Sequence, residues 1–187
     1  IRPGSMGKPT PGFDVRIVNE QGEEQPRNAR GIVGVRVPNP VTMLEYWQNP
    51  DATTKKYANG FLLTGDLGVQ DDDGYFWYVS REDDVITSAG YRIGPGEIES
   101  CLIQHPAVAM AAVIGKPDAE RGAIIKAFIV LGAGHTASSE LEADLAHHVR
   151  GRLAPYEYPK EFEFVAELPM TTTGKIQRKV LRDRDTS

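Results

Sequence analysis

Cysteine is nearly absent from this 187-residue chain, tryptophan occurs twice, and no apolar run approaches the ~20 residues of a membrane-spanning helix. A lone Cys101 excludes an internal disulfide, and the first residues lack the basic, apolar and small-residue succession of a secretory leader. These scarcities predict a reducing compartment, the cytoplasm, and no membrane span. Excess positive charge is missing too, since the formal net charge is −5, which gives polyphosphate no general attraction. The one basic cluster, Lys175, Arg178, Lys179, Arg182 and Arg184, contains no aromatic on which a base could stack, so no nucleic acid is expected as a partner. Within that cluster Arg178 reads as a generic surface cation. Neither zinc-type Cys/His spacing nor a Ser-His-Asp or Cys-His nucleophile pattern occurs, and no metal ligands are assigned. His147 and His148, neighbours on a predicted helix and so about 100° apart, read as solvated. Thr172-Thr173-Gly174-Lys175 is not an ATPase phosphate loop: no Gly stands five residues before Gly174, and Ile176 occupies the place of the magnesium-binding Ser or Thr.

What is present is the composition of a globular chain, 40% hydrophobic and 25% charged, with length enough to bury roughly 70% of its unfolded surface. Asp14–Val18 and Gly31–Val37 alternate apolar with polar around a turn at Asn19–Gly22, the period of half-buried strands. Asp73-Gly74 between two apolar stretches predicts a hairpin, because Gly accepts the positive φ of a tight turn. The charged run Ser80–Asp84 interrupts this β-rich pattern. Beyond it, Pro95 at a first helical turn, with Glu97 and Glu99 near the positive dipole end, predicts a helix that stops at His105-Pro106 and places Cys101 in a core. Val108–Ile114 and Ala123–Leu131 predict strands separated by a loop at 115–122. Ser139 and Glu142 predict a capping box for a second helix, Glu161–Val165 a strand, and the residues from about Ile176 a closing helix. The fold class is α+β: a β-rich subdomain at residues 1–79, a distorted small barrel, a hinge at 80–84, and an α+β domain at 85–187.

Five segments stand in the order and spacing of one family. They are Thr64-Gly65-Asp66; Ser80-Arg81-Glu82-Asp83-Asp84-Val85-Ile86; Ser88-Ala89-Gly90-Tyr91-Arg92-Ile93-Gly94-Pro95-Gly96-Glu97-Ile98-Glu99; Ala154-Pro155-Tyr156-Glu157-Tyr158-Pro159-Lys160; and Leu168-Pro169-Met170-Thr171-Thr172-Thr173-Gly174-Lys175-Ile176-Gln177-Arg178. The chain resembles the adenylate-forming enzymes over nearly its whole length, and most of all the medium-chain branch of AMP-forming acyl-CoA synthetases, of which it looks like the C-terminal portion. The departure is Ser80, where the family more often has Gly.

The resemblance implies a mobile lid domain behind a hinge. It makes Asp66 and Arg81 contacts of the ATP/AMP ribose, Asp83 the hinge, Gly90 and Arg92 parts of the CoA-accepting conformation, and Lys175 the catalytic lysine of adenylation. The implied reaction converts a carboxylic, and most readily fatty, acid with ATP to acyl-AMP and then passes the acyl group to CoA. ATP, CoA and Mg2+ are the implied cofactors. The phosphate-cradling loop, the magnesium ligands and the acyl pocket of the family are not in this sequence, so the isolated chain is expected to be inactive without an N-terminal region or subunit. Two alternatives stay open: an adenylation domain that loads a carrier protein, against which the Tyr91–Pro95 segment argues, and a non-catalytic lid module that docks on a separate N-terminal subunit.

Overall fold

In a computed structural model that describes residues 2–185, the backbone divides into two compact units, Ile1–Asp83 and Asp84–Ser187. Ile1, Thr186 and Ser187, the ends of the two expected segments, lie outside the described residues.

The first unit is a five-stranded antiparallel sheet. Its strands are β1 (Val15–Val18), β2 (Arg30–Arg36), β3 (Tyr57–Ala58), β4 (Phe61–Gln70) and β5 (Phe76–Arg81), with a short helix α1 (Pro50–Thr54) before β3. The ten-residue β4 organises it: β2 runs along one edge, while β3 and then β5 share the other. Phe61, Leu63 and Leu67 point inward from β4 at every second residue, as a half-buried strand requires. Register shifts at Ile32/Gly34 and at Leu67/Gly68 bend the sheet, which is curled into half a barrel. Gly74 at φ 85° closes the expected β4–β5 hairpin. The sequence reading leaves α1 and β3 unassigned.

The second unit opens with a hairpin, β6 (Ile86–Ser88) and β7 (Tyr91–Ile93), followed by α2 (Pro95–Ile103). Its main sheet has the order β10-β9-β8, formed by β8 (Val108–Asp118), β9 (Gly122–Leu131) and β10 (Glu161–Phe164). The parallel β9–β10 pair is connected through α3 (Ser139–Arg150), as a parallel pair needs a crossover. Successive residues of β8 and β9 face opposite ways into two cores. Ala111, Val113, Ile125, Ala127 and Ile129 pack with Ile98 and Leu102 of α2 and Leu145 and Val149 of α3. Ala112, Ile114 and Phe128 pack with Leu168 and with Leu181 of α4 (Arg178–Asp185). Burial on both faces is why these strands read as continuous apolar runs rather than alternating ones. Cys101 lies in the first core, and burial pushes its thiol pKa up.

Three local expectations are corrected. The expected loop at 115–122 is mostly strand, because β8 is an edge strand, where Pro117 costs no ladder hydrogen bond, and pairing continues to Asp118 opposite Gly122. The cap of α3 is Ser138, whose Oγ accepts from the Leu141 amide at 3.2 Å, one residue ahead of Ser139. The last helix starts at Arg178, since Ile176 is held in a β-bridge with Met170.

Candidate functional site

Asp66 and Arg81 meet because β4 and β5 are paired antiparallel with these two residues directly opposite each other. Arg81 Nη1 donates to Asp66 Oδ1 at 3.2 Å, and its Nε donates to Asp83 Oδ1 at 3.2 Å. Burial works to lower the Arg81 pKa, but the hydrogen bonds and charges of Asp83 and Asp66 outweigh it and hold the guanidinium above its ordinary value. All three side chains stay accessible. Thr64 fixes the bend before Asp66: its hydroxyl donates to the Val33 carbonyl at 2.8 Å and accepts from the Asp66 amide at 3.1 Å. Gly65 between them has φ 82° and leaves bare backbone under two cations. A methyl added there would lie 3.2 Å from Arg81 Nη2 and 3.2 Å from Lys56 Nζ. Lys56 was invisible to sequence reading, because nothing local marks a lysine ten residues upstream of Asp66 as its neighbour. Among the described residues Lys56 has no carboxylate partner within ion-pair distance.

In the second unit, Gly90 and Arg92 belong to the β6–β7 hairpin. Ala89 (φ 49°) and Gly90 (φ 85°) form its two-residue turn, and both torsions are left-handed. A Cβ at Gly90 would meet nothing within 4 Å, so within this unit the turn alone explains the glycine. Arg92 is exposed on β7 opposite Thr87. Tyr91 between them stacks on Tyr156, with ring centroids 4.1 Å apart and planes 7° from parallel. The Ala89 amide donates to the Arg121 carbonyl at 2.9 Å. Beside this stack lies a cavity of about 150 Å³ lined by Ser88, Arg121, Ile125, Tyr156, Tyr158 and Lys160. Lys160 donates to the Tyr158 hydroxyl, and that hydrogen bond is the first of the causes that hold the phenol below its usual pKa. Tyr156, Tyr158 and Lys160 come from the fourth sequence segment; Arg121 carried no sequence signal.

Lys175 occupies a third place, near the tip of a hairpin closed by the Met170–Ile176 bridge. Thr171 shapes it, its amide donating to the Lys175 carbonyl at 2.8 Å and its hydroxyl accepting from the Lys175 amide at 3.0 Å. Gly174 at φ 78° completes the turn, and Lys175 is exposed. Asp66, Arg81 and Asp83 therefore share one cluster in the first unit, while Gly90, Arg92 and Lys175 sit on two hairpins of the second.

Two surface readings are corrected. Arg178 is not a free cation: it is forked onto Glu99 and Asp84, and Arg182 also holds Asp84. His148 is not simply solvated, since its Nε2 lies 3.0 Å from the Cys101 carbonyl and its ring meets His105 edge-on. Among the described residues no group of three or more His, Cys, Asp or Glu is gathered so as to hold a metal ion, and no helix is long and apolar enough to cross a membrane.

The chain thus joins a curled sheet that ends in a carboxylate–guanidinium pair to an α+β unit with a lysine raised on a hairpin. Residues 97–175 match the AMP-binding enzyme C-terminal domain. Along its whole length the chain resembles the medium-chain acyl-CoA synthetase branch of the adenylate-forming enzymes. It is 50% identical to the mitochondrial acyl-coenzyme A synthetase ACSM4 of Mus musculus over 99% of this chain and 33% of that protein. Against human mitochondrial acyl-coenzyme A synthetase ACSM1 the identity is 45%, over 100% of this chain and 33% of that protein. The anthranilate CoA ligase AuaEII, solved with anthranoyl-AMP, superposes with a TM-score of 0.86 at 41% identity, over 99% of this chain and 36% of its own. ATP-bound MatB from Rhodopseudomonas palustris superposes at 0.86 with 36% identity, over 97% of this chain and 36% of its own. This chain thus spans about a third of the length of the curated relatives it matches.

The expected cytoplasmic location is overturned, because these curated relatives are mitochondrial. A lone cysteine argues for a reducing compartment but does not distinguish one such compartment from another.

Proposed function

We propose that this chain supplies the ribose clamp and the lid of an AMP-forming acyl-CoA synthetase, an acid–thiol ligase that converts a carboxylic acid, ATP and CoA to an acyl thioester through acyl-AMP. The observation that carries this reading is the Asp66–Arg81 pair, opposed across two strands beside the bare backbone of Gly65. Its carboxylate is suited to accept vicinal ribose hydroxyls. Arg81 orients that carboxylate and lies next to Lys56, whose ammonium is available to a phosphate of the same nucleotide. Asp83, in the 3-10 turn Glu82–Asp84 where one unit passes into the next, is the hinge. Lys175 carries positive charge to the acyl carboxylate and α-phosphate. Gly90 and Arg92 serve the second half-reaction, in which CoA thiol displaces AMP. The aromatic stack and the cations of Arg121 and Lys160 beside Gly90 suit the nucleotide end of CoA, which needs a flat surface and anion-pairing groups.

The clamp is testable on the chain itself by titrating AMP and adenosine and following amide shifts by NMR. Binding should be weak, since a ribose clamp leaves most of either ligand in water. Asp66→Ala removes hydrogen bonds to a charged acceptor, about 1.5–3 kcal/mol, and should weaken both ligands by about tenfold or more. Lys56→Ala should weaken AMP several-fold at low salt and leave adenosine unchanged, because only AMP carries the charge it meets, an interaction of about 1 kcal/mol or more at that range. Equal binding of both ligands by wild type and Asp66→Ala would remove the nucleotide reading.

A further inference from the structure

Three residues after Lys175, the side chain of Arg178 leaves the first turn of α4 and enters a nearly closed polar site in the second unit. Its Nε and Nη2 donate to Glu99 Oε1 at 3.0 and 2.9 Å, Nη2 also reaches Glu99 Oε2 at 2.7 Å, and Nη1 donates to Asp84 Oδ2 at 2.9 Å. The side chains of Arg178, Glu99 and Asp84 are only 19%, 11% and 10% exposed. Glu99 Oε1 accepts the Val113 amide of β8 as well, at 2.8 Å, and Asp84 Oδ1 accepts from Arg182 Nη1 at 3.0 Å. Two guanidinium and two carboxylate groups make the cluster formally neutral. Burial alone would lower the Arg178 pKa, but Glu99 and Asp84 reverse this and hold it above its ordinary value.

The Lys175 hairpin has few other anchors. Gln177 ties its base to the Pro169 and Met170 carbonyls at 2.8 and 2.6 Å, and Ile176 packs against the core under α4. Beyond these contacts, the lysine side chain has no ion-pair partner among the described residues to orient it.

We propose that Arg178 is the positioning residue of the Lys175 hairpin: its three-nitrogen fork locks the base of the hairpin to α2 through Glu99 and to Asp84, the last residue of the hinge turn, so that hairpin and hinge turn as one piece. The proposal rests on the reading of Lys175 as the adenylation lysine. A lysine aimed at a reacting centre loses most of its effect when misplaced by about 1 Å, a displacement that costs on the order of 10²-fold in rate. Only a planar fork meets both carboxylates at once; an ammonium of equal charge does not.

The test uses Arg178→Lys, which keeps the charge, with exposed Lys179→Ala as control. Hydrogen exchange on the 187-residue chain should show amides of 171–177 and of 84–86 exchanging about tenfold faster in Arg178→Lys, with β9 amides unchanged. In a hybrid with the N-terminal region of a medium-chain relative, acyl-AMP formation should fall about tenfold to a hundredfold in kcat with little change in KM for ATP. Lys179→Ala should be silent in both. Wild-type exchange and adenylation in Arg178→Lys would overturn the proposal, as would protection lost equally in β9, the mark of a merely structural residue. Should Arg178→Lys fail to fold, Asp84→Asn keeps the Glu99 pair and must by itself loosen both segments; unchanged exchange there overturns the proposal. If Lys175→Ala leaves adenylation intact, the assigned role of that lysine fails, while the exchange experiment still decides whether Arg178 anchors the hairpin.

Discussion

Lys175→Ala, in a chain joined to the N-terminal region of a medium-chain synthetase, is expected to slow acyl-AMP formation by about 10²–10³-fold, the loss typical of removing one preorganised donor from a developing charge. Thioester formation from preformed acyl-AMP should change little. The reason lies in where the lysine stands: on a hairpin of the second unit, exposed, and shaped by Thr171 and Gly174 rather than by any carboxylate. Among the described residues nothing in its own unit forms an ion pair with it, so its charge is available to a ligand carboxylate and α-phosphate. On the proposed hinge at Asp83, the lysine turns with its own unit. Pyrophosphate release and thioester formation, assayed separately, decide the matter. Equal loss in both half-reactions would make Lys175 a structural residue, and equal loss in Lys179→Ala would make it an interchangeable cation.

Glu99→Ala should cost about 3–5 kcal/mol of stability in the second unit, the range for breaking a buried ion pair from one side. Glu99 accepts from Nε and Nη2 of Arg178 and from the buried Val113 amide, and its removal leaves a mostly buried guanidinium and a buried amide short of acceptors. Glu97, two residues earlier on the same helix, is exposed and accepts no such bonds; Glu97→Ala should fall within about 0.5 kcal/mol of wild type. Urea unfolding of the two variants reads the difference. With a slope of about 1–3 kcal/mol per molar urea, the Glu99→Ala midpoint should drop by about 1 M or more. A Glu99→Ala midpoint equal to that of Glu97→Ala would mean that the buried fork contributes no net stability.

That contrast also shows what could be read from the sequence. Both glutamates follow Pro95 and look alike as acidic residues near a helix start; only the fold reveals that Glu99 faces inward, where a residue 79 positions away reaches it. Short-range chemistry was legible: the Asp73-Gly74 turn, the α2 stop at His105-Pro106 and the doubly buried β8 and β9 each follow from neighbours in the chain. The opposed placement of Asp66 and Arg81 was legible only as a resemblance, since their pairing depends on β4–β5 register. Lys56, Arg121 and the Tyr91–Tyr156 stack had no local pattern, because each is brought to its neighbour by pairing or packing between distant segments. Arg178 was misread as a generic cation for the same reason, its partners Glu99 and Asp84 being far away in sequence.

Handedness at the β6–β7 tip governs how the role of Gly90 is to be probed. Any L residue at that position brings two changes together, a side chain and a torsional penalty of about 1–2 kcal/mol for its positive φ. A sluggish Gly90→Leu enzyme would therefore not tell an obstructed path for CoA from a distorted turn. Mirror-image chemistry separates the two. D-alanine, introduced by ligating a synthetic peptide, favours the same positive φ, so the turn is retained and the methyl is the only novelty. The expected result is intact adenylation with slowed thioester transfer, tracing the glycine to the space beside it; full thioester transfer with D-alanine and slow transfer with L-alanine would trace it to the backbone alone.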